Sequence, residues 1–385
     1  MKSNYKRLGD YIRQVDVRNR DLAVDNLLGL SITKQFIPSI ANTIGTDMAN
    51  YKIVQPRQFG YVPVTSRNGD KITVALYEGD KPCIISQAYI VFEVSNTSKL
   101  LPEYLMMWFR RPEFDRYARF KSHGSAREVF EWDEMCEVML PVPSIEEQWK
   151  IVAEYQTVER RIENNRRLIA ALEDAAKTIY RKMFINDIDP NSLPQGWRMG
   201  TIGDFGIVIT GKTPSSSCPE DFGTDTDFIT PIEFKNEDIF YSSPIRKLSK
   251  TGVIKLKSKL IPQYGLSVTC IGSDMGKVRI CRNECISNQQ INSIVTHSKF
   301  GIPYLFCTLR GMKNELQRLA IGSSTMPMLS KSEFENIKIT LPSEKILKQF
   351  YNFGSPILRH CFSLEKEIEV FQSALMIFRN KLSTI

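Results

Sequence analysis

The chain states one plan twice, at a period of about 200 residues. Leu8-Gly9-Asp10-Tyr11 returns as Ile202-Gly203-Asp204-Phe205. Cys83-Ile84-Ile85-Ser86 returns as Glu284-Cys285-Ile286-Ser287, each followed by Gln and an alternating apolar stretch. Pro102-Glu103-Tyr104-Leu105 returns as Ile302-Pro303-Tyr304-Leu305. Gly124-Ser125-Ala126 returns as Gly322-Ser323-Ser324, and Leu140-Pro141-Val142-Pro143-Ser144 with Gln148 as Leu341-Pro342-Ser343 with Gln349. One such match is noise, but a series in constant order is a duplicated architecture. Each copy is a globular part followed by a different kind of segment.

That segment is helical. Apolar positions run Ile151, Tyr155, Val158, Ile162, Asn165, Ile169, Leu172, Ala176, Ile179, Met183 in alternating steps of four and three. This is a heptad seam, and the helix it implies is roughly 60 Å long at ~1.5 Å per residue. Ser144 and Glu147 form a capping-box pattern at its start. Asn165 is the kind of polar seam residue that fixes register. The last segment repeats the pattern at Ile357, Cys361, Leu364, Ile368, Phe371, Leu375, Phe378 and Leu382. Pro356 is expected to break or begin that second helix. Two such seams in one chain most simply bury each other, as an antiparallel pair with the two copies arranged pseudo-symmetrically.

The globular copies read as mixed α/β. Ile72–Leu76, Ile84–Val94, Gly206–Thr210, Leu266–Ile271 and Gln290–Val295 have strand character, and Tyr104–Phe109 and Pro303–Leu319 helical character. The expected fold class is α+β: two α/β domains joined by two long antiparallel coiled-coil helices. The expected boundaries are 1–143 for the first domain, 144–186 for the central helix and 187–196 for a Pro- and Gly-punctuated linker. Residues 197–342 form the second domain and 343–385 the last helix.

Composition narrows the function. No run approaches the ~18–20 apolar residues of a membrane span, and the polar first residues have no leader-like apolar core, so a cytoplasmic location is expected. The eight cysteines form no C-x-x-C pair. Cys270, Cys281 and Cys285 are spaced more widely than structural zinc ligands, and no metal is expected. Lys and Arg number 51 against 43 Asp and Glu, a formal net charge of +8. Residues 1–143 carry 19 basic and 17 acidic side chains, and residues 197–342 carry 18 and 13. Residues 239–273 hold Arg246, Lys247, Lys250, Lys255, Lys257 and Lys259 with no acid, and 110–127 hold six cations against Glu113 and Asp115. Such a surface fits a polyanion or a solvated face.

Catalytic signatures are missing. There is no G-x-S-x-G, no G-x-G-x-x-G and no paired-histidine metal motif. Gly272-Ser273-Asp274-Met275-Gly276-Lys277-Val278 is one residue short of a P-loop, with Val278 where magnesium would need a hydroxyl. Glu233-Phe234-Lys235 with Asp225 and Asp227 has the E-x-K form of metal-dependent nucleases, but such triplets are common and this one occurs in one copy only. No catalytic residue is assigned.

One family matches the remaining pattern. Leu193-Pro194-Gln195-Gly196-Trp197, Ile202-Gly203-Asp204, Thr210-Gly211-Lys212-Thr213-Pro214, Ile229-Thr230-Pro231 and Ser287-Asn288-Gln289-Gln290 come in that order. Gly322-Ser323-Ser324-Thr325 and Leu341-Pro342 follow, before a long helix. The whole chain resembles the specificity subunit of type I restriction–modification systems, most closely in its second copy. The first copy lacks Gly-Lys-Thr-Pro and has Gly124-Ser125-Ala126-Arg127. It is similar to another target-domain subtype through Tyr61-Val62-Pro63-Val64, Arg67-Asn68-Gly69 and Ser86-Gln87-Ala88-Tyr89-Ile90-Val91-Phe92.

The resemblance implies a non-catalytic, sequence-specific DNA-binding subunit. Each copy would be a target recognition domain reading one half of a bipartite asymmetric site, and the two copies would read different sequences. The paired helices would set the spacing, with half-sites on one face of the duplex ~34–36 Å or a multiple apart. Its partners would be double-stranded DNA, two methyltransferase subunits and motor-endonuclease subunits. S-adenosylmethionine, ATP and magnesium would belong to those partners, and the modified base would be flipped into theirs. Base edges take Arg, Lys, Asn and Gln, and phosphates take Lys, Ser, Thr and backbone N–H groups. On that chemistry the candidate DNA contacts are Ser66, Arg67, Asn68, Gln87, His123, Ser125 and Arg127 in the first copy. In the second they are Lys212, Thr213, Ser273, Lys277, Ser323, Ser324 and Thr325. The alternatives are a single-chain nuclease or methyltransferase centred near Glu233 and Lys235, and a coiled-coil scaffold with no DNA role.

Overall fold

A computed structural model describes residues 5–39, 45–65, 71–123, 128–235, 237–320 and 328–382. The chain divides into two compact units, residues 1–161 with 370–385 and residues 162–369.

In the first unit, Tyr5–Arg7 pairs antiparallel with Met139–Pro141. A turn, Leu8–Asp10, leads into a four-stranded antiparallel sheet. Its order is Ile12–Val15, Ile90–Val94, Phe59–Val62, Thr73–Leu76. The pairing sets Phe59 opposite Phe92, and their rings stack 4.7 Å apart. Phe109, at the end of helix Pro102–Phe109, meets Phe59 edge-on at 5.9 Å. Proline begins this helix where no N–H is needed, and Glu103 is its one side chain outside the core. Two smaller pairings complete the unit: Leu28–Leu30 with Phe36–Pro38, and Lys52–Val54 with Cys83–Ile85.

The second unit repeats this frame. Arg198–Thr201 pairs with Lys338–Leu341, and Ile202–Phe205 makes the turn. The sheet order is Gly206–Thr210, Ile291–Thr296, Leu266–Thr269, Val278–Ile280. Individual bonds recur as well. The N–H of Leu8 donates to Val138 O at 2.8 Å, and that of Ile202 to Ile337 O at 3.1 Å. The Tyr104 hydroxyl donates to Pro141 O at 3.1 Å, and the Tyr304 hydroxyl to Thr340 O at 2.7 Å. Onto its frame the second unit adds a five-stranded sheet in which Thr226–Ile229 runs parallel to Cys285–Ser287.

The long helices are Ile145–Phe184 and Glu344–Lys381. Within the second unit Asn165 donates to Glu367 Oε2 at 2.8 Å, while Tyr180 and Phe184 pack on Phe350. Those contacts run the two segments antiparallel. Within the first unit Tyr155 meets Phe378, and Arg379 Nε donates to its hydroxyl at 2.8 Å. Of the seam positions, Ile151, Tyr155, Ile162, Asn165, Cys361, Leu364, Leu375 and Leu382 are buried. Val158, Ile169, Leu172, Ile179, Ile357, Ile368, Phe371 and Phe378 are half-buried.

Four local expectations are corrected. Pro356 lies inside the second helix rather than at its start. A mid-helix proline costs ~3 kcal/mol, but its side chain faces out and packing along the seam on both sides carries the helix through. The stretch 84–94 is two strands with a turn at Gln87 and Ala88, because Cys83–Ile85 and Ile90–Val94 serve different sheets. The helix expected over 303–319 divides at Met312 into Ile302–Gly311 and Lys313–Ala320. Finally, Gln148 and Gln349 are not equivalent. Gln148 is fully buried, accepting from Leu101 N and donating to Lys99 O and Pro143 O, all at 2.9 Å. Gln349 is exposed.

Candidate nucleic-acid interface

In the second unit four strand ends converge. Gly206–Thr210 runs out into Gly211–Pro214, Thr226–Ile229 into Thr230–Lys235, Leu266–Thr269 into Ile271–Lys277, and Cys285–Ser287 into Asn288–Gln290. Backbone bonds tie these loops together: Lys212 N to Ser287 O at 2.8 Å, Asn288 N to Ile229 O at 3.0 Å, Cys270 N to Gln290 O at 2.8 Å. Gly211 makes this possible. A Cβ there would lie 2.2 Å from Ser287 O and 2.3 Å from Asn288 O, far inside any real contact. Thr230 caps the turn Pro231–Glu233, and Glu233 answers its backbone and hydroxyl at 2.8 and 2.9 Å.

The surface so formed presents Lys212, Lys235 and Gln289, all exposed. Thr213 donates to Gln289 Oε1 at 2.8 Å and so orients that amide. Lys277 is half-buried, bound to Asp274 at 2.8 Å and to Phe234 O at 3.4 Å. Ammonium and amide groups on such loops have the donors that phosphates and purine edges accept. Ser273 sits in the turn Gly272–Asp274. Ser323, Ser324 and Thr325 lie outside the described residues. The chain re-enters beyond them at Met328, which bridges to Ile271, with Leu329 N donating to Cys270 O at 2.9 Å.

The first unit anchors its loops in the same way. Val129 bridges to Val64 and to His123, and Thr65 N donates to Glu128 O at 2.9 Å. Phe59–Val62 here and Leu266–Thr269 there occupy the same place in the four-stranded order. The chain that follows the Gly-Ser motif, at Val129 and at Met328, therefore returns beside the same strand end in both copies. His123 and Gln87 are exposed. Ser66, Arg67, Asn68, Ser125 and Arg127 lie outside the described residues.

The sequence candidates omitted Lys235 and Gln289. Gln289 stood in the quoted Ser287–Gln290 motif, and the signal for it was the end of apolar alternation at Ser287. Lys235 was set aside together with the E-x-K triplet.

That triplet is not a metal centre. Asp227 is buried, accepting from the Tyr241 hydroxyl at 2.8 Å and Asn283 at 3.0 Å and pairing with Lys247 at 3.0 Å. Burial pushes its carboxyl up, but Asn283, Tyr241 and Lys247 outweigh burial and hold it below the usual range. With Glu233 spent on the Thr230 cap, the two carboxylates serve structure. Part of the basic cluster 246–259 is structural too. Arg246 lies over Phe222 and Phe228, and Lys255 pairs with Asp221 at 2.7 Å.

The family model for the type I restriction modification DNA specificity domain matches residues 42–174 and 194–370. The chain belongs to this family. Its two matched segments fall on the two copies of the plan. The chain is 24% identical over 339 residues to the HindI specificity subunit of Haemophilus influenzae, across 69% of this chain and 73% of that one. It is 24% identical over 302 residues to the MjaIX specificity subunit of Methanocaldococcus jannaschii, across 71% and 66%. In fold it is similar to the S subunit of a type I restriction–modification system from M. genitalium, with TM-score 0.65 and 12% identity, over 98% of this chain and 95% of that one. As a type I specificity subunit it serves DNA sequence selection.

Proposed function

We propose that the two copies, residues 1–143 and 197–342, are target recognition domains, each reading one half of a split, asymmetric DNA site. The observation that carries this reading is one frame occurring twice with different loops mounted on it. The readers on the second frame are Lys212, Thr213, Ser273, Lys277, Ser323, Ser324 and Thr325, joined by Lys235 and Gln289. On the first they are Ser66, Arg67, Asn68, Gln87, His123, Ser125 and Arg127. The two long helices set the spacing between half-sites through their seam. With the adjoining faces they dock two methyltransferase subunits and, beyond these, the motor-endonuclease subunits. The chain itself is non-catalytic, and S-adenosylmethionine, ATP and magnesium act in those partners in the cytoplasm. No described helix is long and apolar enough to cross a membrane.

The test is selection from a random duplex library by the chain assembled with its methyltransferase subunit. A split motif is expected, with no methylation or cleavage by the chain alone. Lys212→Ala with Gln289→Ala should relax one half of the motif and leave the other intact. Relaxation of both halves, or activity of the isolated chain, would refute the reading.

A further inference from the structure

Five of the six cations of residues 110–127 lie among the described residues, and the fold divides them into two groups. Arg111 is buried over the Trp108 ring, Arg110 is paired with Glu159 at 2.9 Å, and Lys121 reaches Glu134 at 3.4 Å. Arg116 and Arg119 instead stand on the outer side of helix Pro112–Lys121, three residues apart and so on one face. Phe120, four residues after Arg116, shares that face and is 82% exposed.

This face borders a cleft of about 950 Å³ within the first unit. Its floor is Lys34, buried against Asp115 at 2.7 Å and bonded to the Phe109 carbonyl. Lys71 and Arg379 complete the basic wall, and Ile32 and Pro112 add apolar rim. The carboxylates of the lining, Asp115 and Glu159, are already held by Lys34 and Arg110. At the rim Glu113 pairs with Arg116 and Glu128 with Arg119, both at 3.2 Å. Arg116 is well exposed, and its pair with Glu113 costs little to exchange. Lys71 makes no ion pair among the described residues. Burial depresses the Lys34 ammonium, and the like charges of Lys71 and Arg379 depress it further against Asp115. Like charges therefore crowd this wall. The wall is also continuous with the loop anchors: the helix leads through Ser122 to His123, and Lys71 directly follows residues 66–70.

We propose that this cleft is a phosphate-tracking site for duplex DNA, with Lys71 and Arg116 on backbone phosphates and Phe120 laid against the sugar edge of the groove. The proposal rests on the DNA-specificity reading and adds to it a sequence-independent anchor beside the reading loops. An exposed aromatic among cations suits a strand that carries charge on one edge and apolar surface on the other. An acidic protein surface would use the cations alone.

The experiment uses the full chain assembled with its methyltransferase subunit. Binding is titrated over a range of KCl concentrations on two duplexes, one selected by the complex and one unrelated. Lys71→Gln with Arg116→Gln should weaken both duplexes alike, about tenfold at physiological salt. It should also lower the slope of log K against log salt by about two. Phe120→Ala should weaken both and leave the slope unchanged, since no counterion is involved. All three side chains are solvent-exposed, and thermal melting should match the parent. An unchanged salt slope in the double variant overturns the proposal. So does loss of the methyltransferase subunit with DNA affinity intact, which would make the cleft a protein-docking surface. A parent with a full slope but no preference between duplexes would sink the specificity reading and leave the phosphate site standing.

Discussion

Cys83–Ile85 and Cys285–Ser287 come from the same repeated motif and keep equivalent neighbours, yet their pairing differs in extent. Each is antiparallel on one side, to Lys52–Val54 and to Leu260–Ile261, and parallel on the other, where the first has a single bridge from Leu27 to Ile84 and the second has the strand Thr226–Ile229, centre of a wider sheet. A parallel pair needs a long crossover, and the second unit runs its lysine-rich segment 246–259 and the hairpin around Thr269–Lys277 through that connection. Around both, the frame is the same: the terminal strand pair, the four-stranded sheet, the tyrosine hydroxyl on a backbone carbonyl. The frame is held by packing, which two copies of a sequence reproduce. On the proposed reading the mounted part carries the reading surface, and its differences would let two copies read two sequences.

The contrast can be broken first through the helices. Ile169→Asp with Leu172→Asp places two charges against the main apolar core of the second unit. A loss of more than about 4 kcal/mol is expected, with failure to assemble with the methyltransferase subunit. Denaturant melting and size-exclusion chromatography read both, and a stable, assembled variant would refute the spacing role of the seam.

The glutamines probe where the copies part. Gln148→Ala strips three backbone groups of their partner and should cost about 3 kcal/mol, whereas Gln349→Ala should change stability by less than about 0.5 kcal/mol. Equal effects in urea unfolding would restore the equivalence that the sequence repeat implies.

A third test isolates the second unit. Glu365 is buried, and its carboxylate oxygens accept from Ile239 N at 2.7 Å and Phe240 N at 3.2 Å. Burial pushes its carboxyl up to about 7 from 4.5, and Asp238 adds to this against the backbone donors and Arg282. The folded state thus holds this proton more tightly than the unfolded one. Its stabilisation is full below about pH 4.5 and lost as pH rises to about 7, on the order of 3 kcal/mol. Glu365→Gln should flatten that part of the stability–pH curve, and an undiminished slope would rule the group out.

The smallest effect should be the most symmetrical. Tyr104→Phe and Tyr304→Phe each remove one hydroxyl-to-carbonyl bond and should each cost about 1 kcal/mol. A difference of more than about 1 kcal/mol between them would show that the two frames are not energetically alike.

The heptad seams were readable because a long helix leaves a local periodic record. Gly206–Thr210 was readable to the residue because alternation is also local. Pro356 misled because its cost is local while the packing that overrides it comes from another segment. Gln148 and Gln349 misled because matching letters say nothing of which carbonyls lie near. Lys235 and Gln289 were missed because strands separated by some fifty residues bring them to one surface.

The amino-acid sequence by itself determined that there are two copies of one plan, two seamed helices and no recognisable catalytic motif, since each is written in short-range pattern and repetition. Only the tertiary structure decided which of the basic residues are spent on internal partners and which still face outward. Lys247 is held by Asp227 and Lys255 by Asp221, while Lys71, and Arg116 with its surface partner Glu113, face outward beside Phe120. The physical reason is that a charge's availability depends on its neighbours in space, and the fold chooses those neighbours from distant parts of the chain.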